Sequence, residues 1–210
     1  MLGILAGLKQ EASVIRRFLP GVPLALSNAT PEGARLGVER LLRAGATELL
    51  SFGCAGSLSP EAPPGTVIVA DHVYHEGRNI PSDPALSMKF GSACARRGGI
   101  LHSDSLVEFA FEKTRYFSET HCIAVDMESG FIAQSGVPFA VLRVVCDDAT
   151  RDLPPAVKTS VKDGAVYIPG LVGSLVRHPL QIGGLIRLGR EAALAQRAMA
   201  SFLQANPPQI

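Results

Sequence analysis

The stretch LLSFGCAGSL, residues Leu49–Leu58, begins as an apolar run and changes to small residues at GCAGS, positions 53–57. We expect a buried strand that ends at Phe52, followed by a segment with almost no side chains. Such a segment either makes a simple turn or lets the backbone come close to another group. The other segments of the chain favour the second interpretation.

The composition is that of a folded protein with a sizeable core. The chain has 210 residues, of which 47% are hydrophobic and 19% charged, and this length suits one domain. A formal net charge of +1 gives no general attraction to nucleic acid or to anionic membranes. Four cysteines without a C-x-x-C pair indicate free thiols in a reducing compartment. The stretch Met1–Gly7 is too short for a signal peptide or a membrane span, so we expect a soluble cytoplasmic protein.

Short apolar runs alternate with helical stretches along the chain. Because most runs are continuously apolar, they suit strands covered on both faces. We therefore expect an α/β fold, a three-layer α/β/α sandwich with a mostly parallel mixed central sheet. Expected strands cover residues 2–6, 22–26, 48–52, 66–70, 123–125 and 139–145, and expected helices cover residues 11–19, 30–44 and 128–135, with another between Ser82-Asp83-Pro84 and Gly98-Gly99. Ligands of such sheets bind beyond the carboxyl ends of the strands.

Acidic residues follow three of the expected strands. Glu11 comes after the first strand, Asp126 and Glu128 follow a later strand, and Asp147 follows the last one. Each acid alone has an ordinary explanation as a helix cap, a first-turn residue or a turn residue. Their shared placement at the sheet edge that carries the glycine segment favours a common site.

Three carboxyl groups around a backbone-lined pocket suit the cleavage of an N-ribosidic bond. The ribosyl carbon passes through an oxocarbenium-like state, as in glycoside hydrolysis. A purine leaves readily only when protonated, so one carboxyl group should be an acid with a raised pKa. A second carboxylate can hold ribose hydroxyls and stabilise the developing cation, and a third can deprotonate a water molecule.

Five segments match motifs of one superfamily, in its order and spread over residues 1–150: GILAGLKQEA (3–12), SFGCAGSLSPEAPPGTVIVAD (51–71), HSDSLV (102–107), AVDMESGFIA (124–133) and VPFAVLRVVCDDA (137–149). The chain resembles the purine nucleoside phosphorylases and methylthioadenosine/S-adenosylhomocysteine nucleosidases. With RHPLQIGGLIRLGREA (177–192), it most resembles the hopanoid-biosynthesis-associated phosphorylase group, the adenosylhopane nucleosidases. The resemblance implies one nucleoside phosphorylase-like domain over residues 1–210, with a basic amphipathic C-terminal segment at about 171–205.

The resemblance also implies roles for individual positions. Glu11 matches the carboxylate that activates the attacking water, and Asp147 matches the acid that donates a proton to N7 of the base. The implied substrate-binding residues are Glu128 and Met127 at the ribose, Cys54, Ala55 and Gly56 beside the nucleophile, and Leu106 and Val107 at the base. The sequence departs from the common pattern at four positions: Leu106 for an aromatic residue, Ser57 for a glycine, Asp126 for Glu and Cys146 for Ser.

Water is favoured over phosphate as the nucleophile. Hexameric phosphorylases commonly carry an arginine just before the glycine loop, where this chain has Ser51. A carboxylate at Glu11 would repel phosphate, since two like charges 4 Å apart repel by about 4 kcal/mol at an effective dielectric near 20. Phosphorolysis stays open because several arginines could offset that charge: Arg16, Arg17, Arg35 and Arg78.

We therefore expect hydrolytic release of adenine from adenosylhopane, with no cofactor and no metal implied. The segment HVYHE (72–76) lacks the order of the known zinc motifs; His75 and Arg78 could instead contact substrate, and His102 could lie near the base or in the core. The alternatives are a phosphate-dependent purine nucleoside phosphorylase or methylthioadenosine/S-adenosylhomocysteine nucleosidase, and a non-catalytic nucleoside-binding protein. The resemblance implies a homodimer with a small-molecule nucleoside and no nucleic acid as partner.

The C-terminal residues 171–210 carry a net charge of +3, from four arginines and one glutamate. Apolar residues are interleaved with these charges, which predicts an amphipathic helix packed on the domain. The alternative is a basic, apolar surface that admits a lipid-tailed nucleoside or rests on a membrane. The resemblance to the hopanoid group favours the alternative, so peripheral membrane association is expected beside the cytoplasmic location.

Overall fold

The computed structural model describes residues 1–159, 161–162, 165–166 and 182–210. Its elements are β1 (Leu2–Ala6), α1 (Lys9–Ile15), β2 (Leu24–Leu26), α2 (Pro31–Arg43), β3 (Glu48–Ser57), β4 (Val67–Val69), β5 (His72–His75), β6 (Arg78–Pro81), α3 (Pro84–Lys89), β7 (Gly99–His102), α4 (Ala110–Thr120), β8 (Ala124–Asp126), α5 (Ser129–Ala133), β9 (Phe139–Val145), a 3-10 helix (Pro155–Thr159), β10 (Val161–Lys162), β11 (Ala165–Val166) and α6 (Ile182–Ala205). Positions 171–181 of the predicted C-terminal segment lie outside the described residues.

Strand β3 is the centre of the sheet. It pairs in parallel with β1 and β9, and its last two residues pair antiparallel with β8. The sheet extends to β2 beyond β1, to β4 beyond β9, and through β7, β5 and β6 beyond β8. Five of the eight pairings among β1–β9 are parallel, which confirms the predicted mostly parallel mixed sheet.

Alternate residues of the central strands face two separate cores, because successive side chains of a strand point to opposite faces. Leu49 and Val141 pack toward α2 and α5. Leu50 and Leu142 pack in the opposite core with side chains of α1, α3 and α6. The helices thus cover both faces of the sheet, and the expected three-layer sandwich is confirmed. Within the described ranges, no helix is both long and apolar enough to cross a membrane.

The prediction that the central strand ends at Phe52 is wrong. The strand continues through the glycine segment, because Gly53–Ala55 pair with Arg143–Val145 of β9. Gly56 and Ser57 then pair with β8. Both partners lie far away in the sequence, so the pairing overrides the low strand propensity of these small residues.

The helix predicted after Ser82-Asp83-Pro84 begins as expected but ends early. The Asp83 carboxylate accepts a hydrogen bond from the Leu86 N–H at 2.7 Å, which caps α3. The helix ends at Lys89 instead of extending toward Gly98, since Gly91 follows with a φ of +75° and packs against Phe202 of α6. Hairpin β5–β6, strand β7 and helix α4 were not among the predicted elements.

Candidate active site

Glu11 is buried at the first turn of α1, beside the glycine segment of β3. Its carboxylate accepts hydrogen bonds from the Leu8 N–H and the Cys54 N–H, both at 2.8 Å. A Cβ atom at Gly53 would lie 2.6 Å from Glu11 Oε2, closer than such atoms can approach. The carboxylate therefore reaches the strand because position 53 has no side chain.

Glu128 is buried on the other side of Gly7, at the start of α5. A Cβ atom at Gly7 would lie 3.1 Å from Glu11 Oε2 and 3.1 Å from Glu128 Oε1, so the two carboxylates flank this glycine. Ser27 Oγ donates a hydrogen bond to Glu128 Oε1 at 2.8 Å. The first and fifth helices thereby bring two of the predicted acids together.

Arg143 in β9 is fully buried and connects these acids. Its Nε lies 2.7 Å from Asp126 Oδ2, and its Nη2 lies 3.2 Å from Glu128 Oε2 and 2.6 Å from Ser51 Oγ. Arg143 was not among the residues predicted for the site. The available signal was an arginine inside the continuously apolar run FAVLRVV, because a charge buried in a strand needs a partner.

The buried charges shift the pKa values of the two acids in opposite directions. Burial opposes the ionisation of Asp126, but Arg143 and the Ser129 hydroxyl group outweigh it and lower the pKa of Asp126 to about 2. For Glu128, burial and the nearby negative charges of Asp126 and Glu11 outweigh Arg143 and raise the pKa. Asp126 is therefore the firmly ionised partner of the arginine.

Asp147 is buried after β9, with both carboxylate oxygens bound. Oδ1 accepts the Ser57 N–H at 2.6 Å, and Oδ2 lies 2.8 Å from Nζ of Lys113 in α4. Burial raises the pKa of Asp147, and neither Lys113 nor the Ser57 N–H offsets it fully. Asp147 thus has the raised pKa that the sequence argument requires of a general acid. Lys113 was also not predicted. Its one sequence signal was its spacing: Tyr116 and Phe117, which are part-buried, follow it by three and four residues and so lie on the same face of a helix.

One strand carries both ends of this arrangement. The Cys54 N–H binds Glu11 and the Ser57 N–H binds Asp147. Three residues of extended strand separate these donors by about 10 Å. Of the two interpretations of the glycine segment, the structure supports the close backbone approach.

Cavities lie at both ends of this stretch of strand. One of about 10 Å³ borders Glu11 and is lined by apolar side chains that include Phe52 and Met199. Another of about 40 Å³ borders Asp147 and is lined by loop residues 148 and 151–154 and by the start of α6. The space next to each acid is therefore closed in part by α6.

The remaining predicted site residues differ in their surroundings. Ala55 is buried and its carbonyl accepts the Cys146 N–H at 3.0 Å, while a Cβ atom at Gly56 would lie 3.5 Å from both carboxylate oxygens of Asp147. Met127 is half-buried directly before Glu128. Cys54, Ala55 and Gly56 thus lie on the stretch of β3 between the two acids, and their role in binding substrate stays a prediction.

The two residues assigned to the base lie in the loop after β7. Val107 is buried in an apolar cluster with Leu58 and Val125. Leu106 is 38% exposed, and the structure places it at the surface of the loop. The structure therefore brings Val107, but not the side chain of Leu106, into the packed interior.

The other candidate residues lie away from the acids or behind them. Arg16, Arg17, Arg35 and Arg78 are all exposed. His102 is buried behind the acids, with Nδ1 3.9 Å from Asp126. Among the described residues, no group of three or more His, Cys, Asp or Glu side chains is arranged to hold a metal ion.

The chain is similar in structure to several solved nucleosidases. Methylthioadenosine/S-adenosylhomocysteine nucleosidase of Helicobacter pylori is 18% identical with a TM-score of 0.70, over 98% of this chain and 96% of that one. The corresponding Neisseria meningitidis enzyme is 18% identical with a TM-score of 0.66, over 97% and 98%. This chain has the nucleoside phosphorylase-like fold.

Two further comparisons bear on this fold. Futalosine hydrolase of Helicobacter pylori shares it, with 18% identity and a TM-score of 0.69 over 98% of this chain and 96% of that one. A family model described as the Phosphorylase superfamily matches residues 28–97, which include all of β3. No curated protein matches the sequence. The nucleoside phosphorylase-like fold is thus supported by comparisons of structure and of sequence.

Proposed function

We propose that the protein hydrolyses the N-ribosidic bond of an adenine nucleoside, most specifically adenosylhopane, and releases adenine. The observation that carries this proposal is the pair of buried acids bound to the backbone of one strand, with Glu11 at the Cys54 N–H and Asp147 at the Ser57 N–H. The structural neighbours named as nucleosidases and as a hydrolase support the same class of reaction.

In the proposed reaction, Asp147 donates its proton to N7 of adenine. The electron pair of the C1′–N9 bond moves to the base, and positive charge develops on the ribosyl group. Glu128 holds ribose hydroxyls and stabilises that charge. Water forms the new C1′–O bond while Glu11 accepts its proton, and solvent later returns Glu11 and Asp147 to their starting states.

The electrostatics of the site favour water over phosphate. Arg143 is the cation beside Asp126 and Glu128, and both carboxylates pair with it. A phosphate dianion would therefore meet an already neutralised arginine together with the carboxylate of Glu11. Repulsion of about 4 kcal/mol per charge pair at 4 Å disfavours phosphate, while Glu11 suits an uncharged water molecule.

Helix α6 supports a substrate with a hydrocarbon part. Ile182, Ile186 and Leu194 are each about half exposed although they are apolar, and Met199 of the same helix lines the cavity beside Glu11. Three arginines, at positions 187, 190 and 197, lie on this helix. An apolar and basic helix next to the acids suits a lipid-linked nucleoside at a membrane surface, and we include peripheral membrane contact in the proposal.

The test is adenine release from methylthioadenosine, adenosine and a lipid-linked adenosine, with and without phosphate. We expect release without phosphate, fastest for the lipid-linked substrate, and no hypoxanthine from inosine. E11Q should lose turnover but keep substrate binding, whereas the surface variant R35Q should retain activity. Strict dependence on phosphate would establish the phosphorylase alternative instead. Binding of nucleosides with no turnover of any of them would establish a non-catalytic binding protein.

Two further parts of the proposal concern the assembly. We propose one nucleoside phosphorylase-like domain over the whole chain and a homodimer in solution. Core residues Ala195, Met199 and Leu203 of α6 pack with side chains of α1 and β9, which supports inclusion of the C-terminal helix in that domain. Light scattering after size-exclusion chromatography tests the dimer, and a monomeric mass would refute it.

A further inference from the structure

Lys113 is fully buried in α4, and its ammonium group contacts three oxygen atoms. Nζ lies 2.8 Å from Asp147 Oδ2, 2.9 Å from the Asp148 carbonyl and 3.2 Å from the Arg151 carbonyl. An ammonium group has three donors, so all of them are used. A lysine is almost never fully buried without such partners, so these three contacts hold the cation at Asp147.

The contacts of Lys113 join the acid to the loop that follows it. Residues 148 and 151–154 line the cavity beside Asp147, and the ammonium group binds two carbonyls of that loop together with the carboxylate. The second carboxylate oxygen is fixed by the Ser57 N–H at 2.6 Å. The orientation of the carboxyl group is therefore set from one side by β3 and from the other by Lys113.

Other charged groups also face Asp147. Asp148, Arg151 and Asp152 come from its own loop, and Arg187 and Glu191 come from α6 across the cavity. From β3 the neighbour is the uncharged Ser57 N–H. Among the described residues, Lys113 is the charged side chain that touches the carboxylate directly, so its removal changes the electrostatics of Asp147 more than removal of the others.

We propose that Lys113 is a positioning residue for the proposed reaction: it orients the Asp147 carboxyl group and limits how readily that group takes up the proton it delivers to the purine. The inference rests on the proposed function, in which Asp147 is the general acid. Burial favours the protonated acid and the ammonium group favours the carboxylate, and their balance decides the pH range in which the acid is loaded.

The proposal predicts the direction of a change in the pH profile. Activity requires protonated Asp147, so it is present below the pKa of this group and lost as the pH rises through it. K113M removes the cation and raises that pKa, so the alkaline limb of kcat/KM moves to higher pH. A direct ion contact corresponds to a shift of about 1 to 3 pH units, and kcat/KM reports the free enzyme. K113R keeps the charge but not the three contacts. The alkaline limb of its kcat/KM profile should therefore stay at the wild-type pH, while kcat falls about tenfold or more.

The experiment compares wild type, K113M, K113R and the surface control K89M, whose lysine pairs with Glu48. Circular dichroism checks folding, and an unchanged K89M profile is expected. An unmoved alkaline limb in folded K113M would overturn the proposal. If K113M does not fold, the K113R variant tests the proposal. A shifted alkaline limb of kcat/KM or a wild-type kcat in K113R would overturn the proposal.

A second readout separates this inference from the proposed function. The carboxyl carbon of Asp147 is titrated by NMR after ¹³C labelling of aspartate, with D147N used for assignment. A higher titration midpoint of the Asp147 carboxyl carbon in K113M supports the role of Lys113 even if no nucleoside is cleaved. So does a ¹³C chemical shift of this carbon in K113R that differs from the wild-type shift. Identical titration in wild type and both variants would overturn it, whereas failure of wild type to release adenine refutes the proposed function.

Discussion

Replacing Gly53 with alanine should inactivate the protein by displacing Glu11. The new Cβ atom would lie 2.6 Å from Glu11 Oε2, 2.7 Å from its Cδ and 2.8 Å from Arg143 Nη1. Ordinary contacts of a Cβ atom begin at 3.4 Å, so the carboxylate must retreat by on the order of 1 Å, and misplacement by this amount can lower a rate about 100-fold. The φ of +149° at Gly53 adds backbone strain of about 1–3 kcal/mol.

A matched control separates the two effects. Gly21 also has a positive φ, +84°, but a Cβ atom there meets nothing within 4 Å, so G21A carries backbone strain alone. We expect kcat/KM for adenine release to fall about 100-fold in G53A and to stay at the wild-type value in G21A. Adenine is measured by chromatography, and urea unfolding gives the stability of each variant. A folded G53A with wild-type kcat/KM would show that Glu11 does not need its observed position.

Three further outcomes follow from the buried charges and the helix surface. R143M leaves Asp126 and Glu128 without their cation, so the free energy of unfolding in urea should fall by about 3–5 kcal/mol; a fall no larger than that of the exposed control R35M would contradict this. Asp126, with its pKa lowered from 3.8 to about 2, contributes stability above pH 4 that is lost as the pH falls toward 2. The stability gap between wild type and D126N should therefore narrow by about 2 kcal/mol over that interval, and a constant gap would refute the ion pair. I186S together with L194S should weaken sedimentation with anionic vesicles while release of adenine from adenosine stays unchanged, and equal sedimentation would exclude these side chains from membrane contact.

The sequence was informative where local pattern and final structure agree. Continuous apolar runs such as Phe139–Val145 predicted buried strands, and Thr30-Pro31 predicted the start of α2, where Thr30 Oγ1 accepts the Gly33 N–H. The sheet-edge rule also predicted that Glu11 and Asp147 would meet the glycine segment. These features depend on residues close in sequence, or on a topology that parallel strands share.

The features that sequence reasoning missed depend on partners distant in the chain. The extension of β3 to Ser57 comes from pairing with β8 and β9, which nothing in the small residues themselves encodes. Arg143, inside an apolar run, signalled a buried charge that needs a partner, but not which acid would provide it, and the sequence around Lys113 did not show that this lysine is buried. Secondary-structure propensity depends on the residues of one segment, whereas these contacts depend on other segments that pack against it.

Because Glu11 and Asp147 both bind main-chain N–H groups of one strand, the backbone repeat of that strand fixes the distance between the two acids. Substitution of the side chains at Cys54 and Ser57 can change the surface around the acids but does not change this distance. Proteins that share this arrangement could then differ in the substrate groups they bind at either end of the stretch Cys54–Ser57. The bond that is broken must always fit the same distance between the two acids. Inserting or deleting a single residue between Cys54 and Ser57 should abolish turnover of every substrate alike.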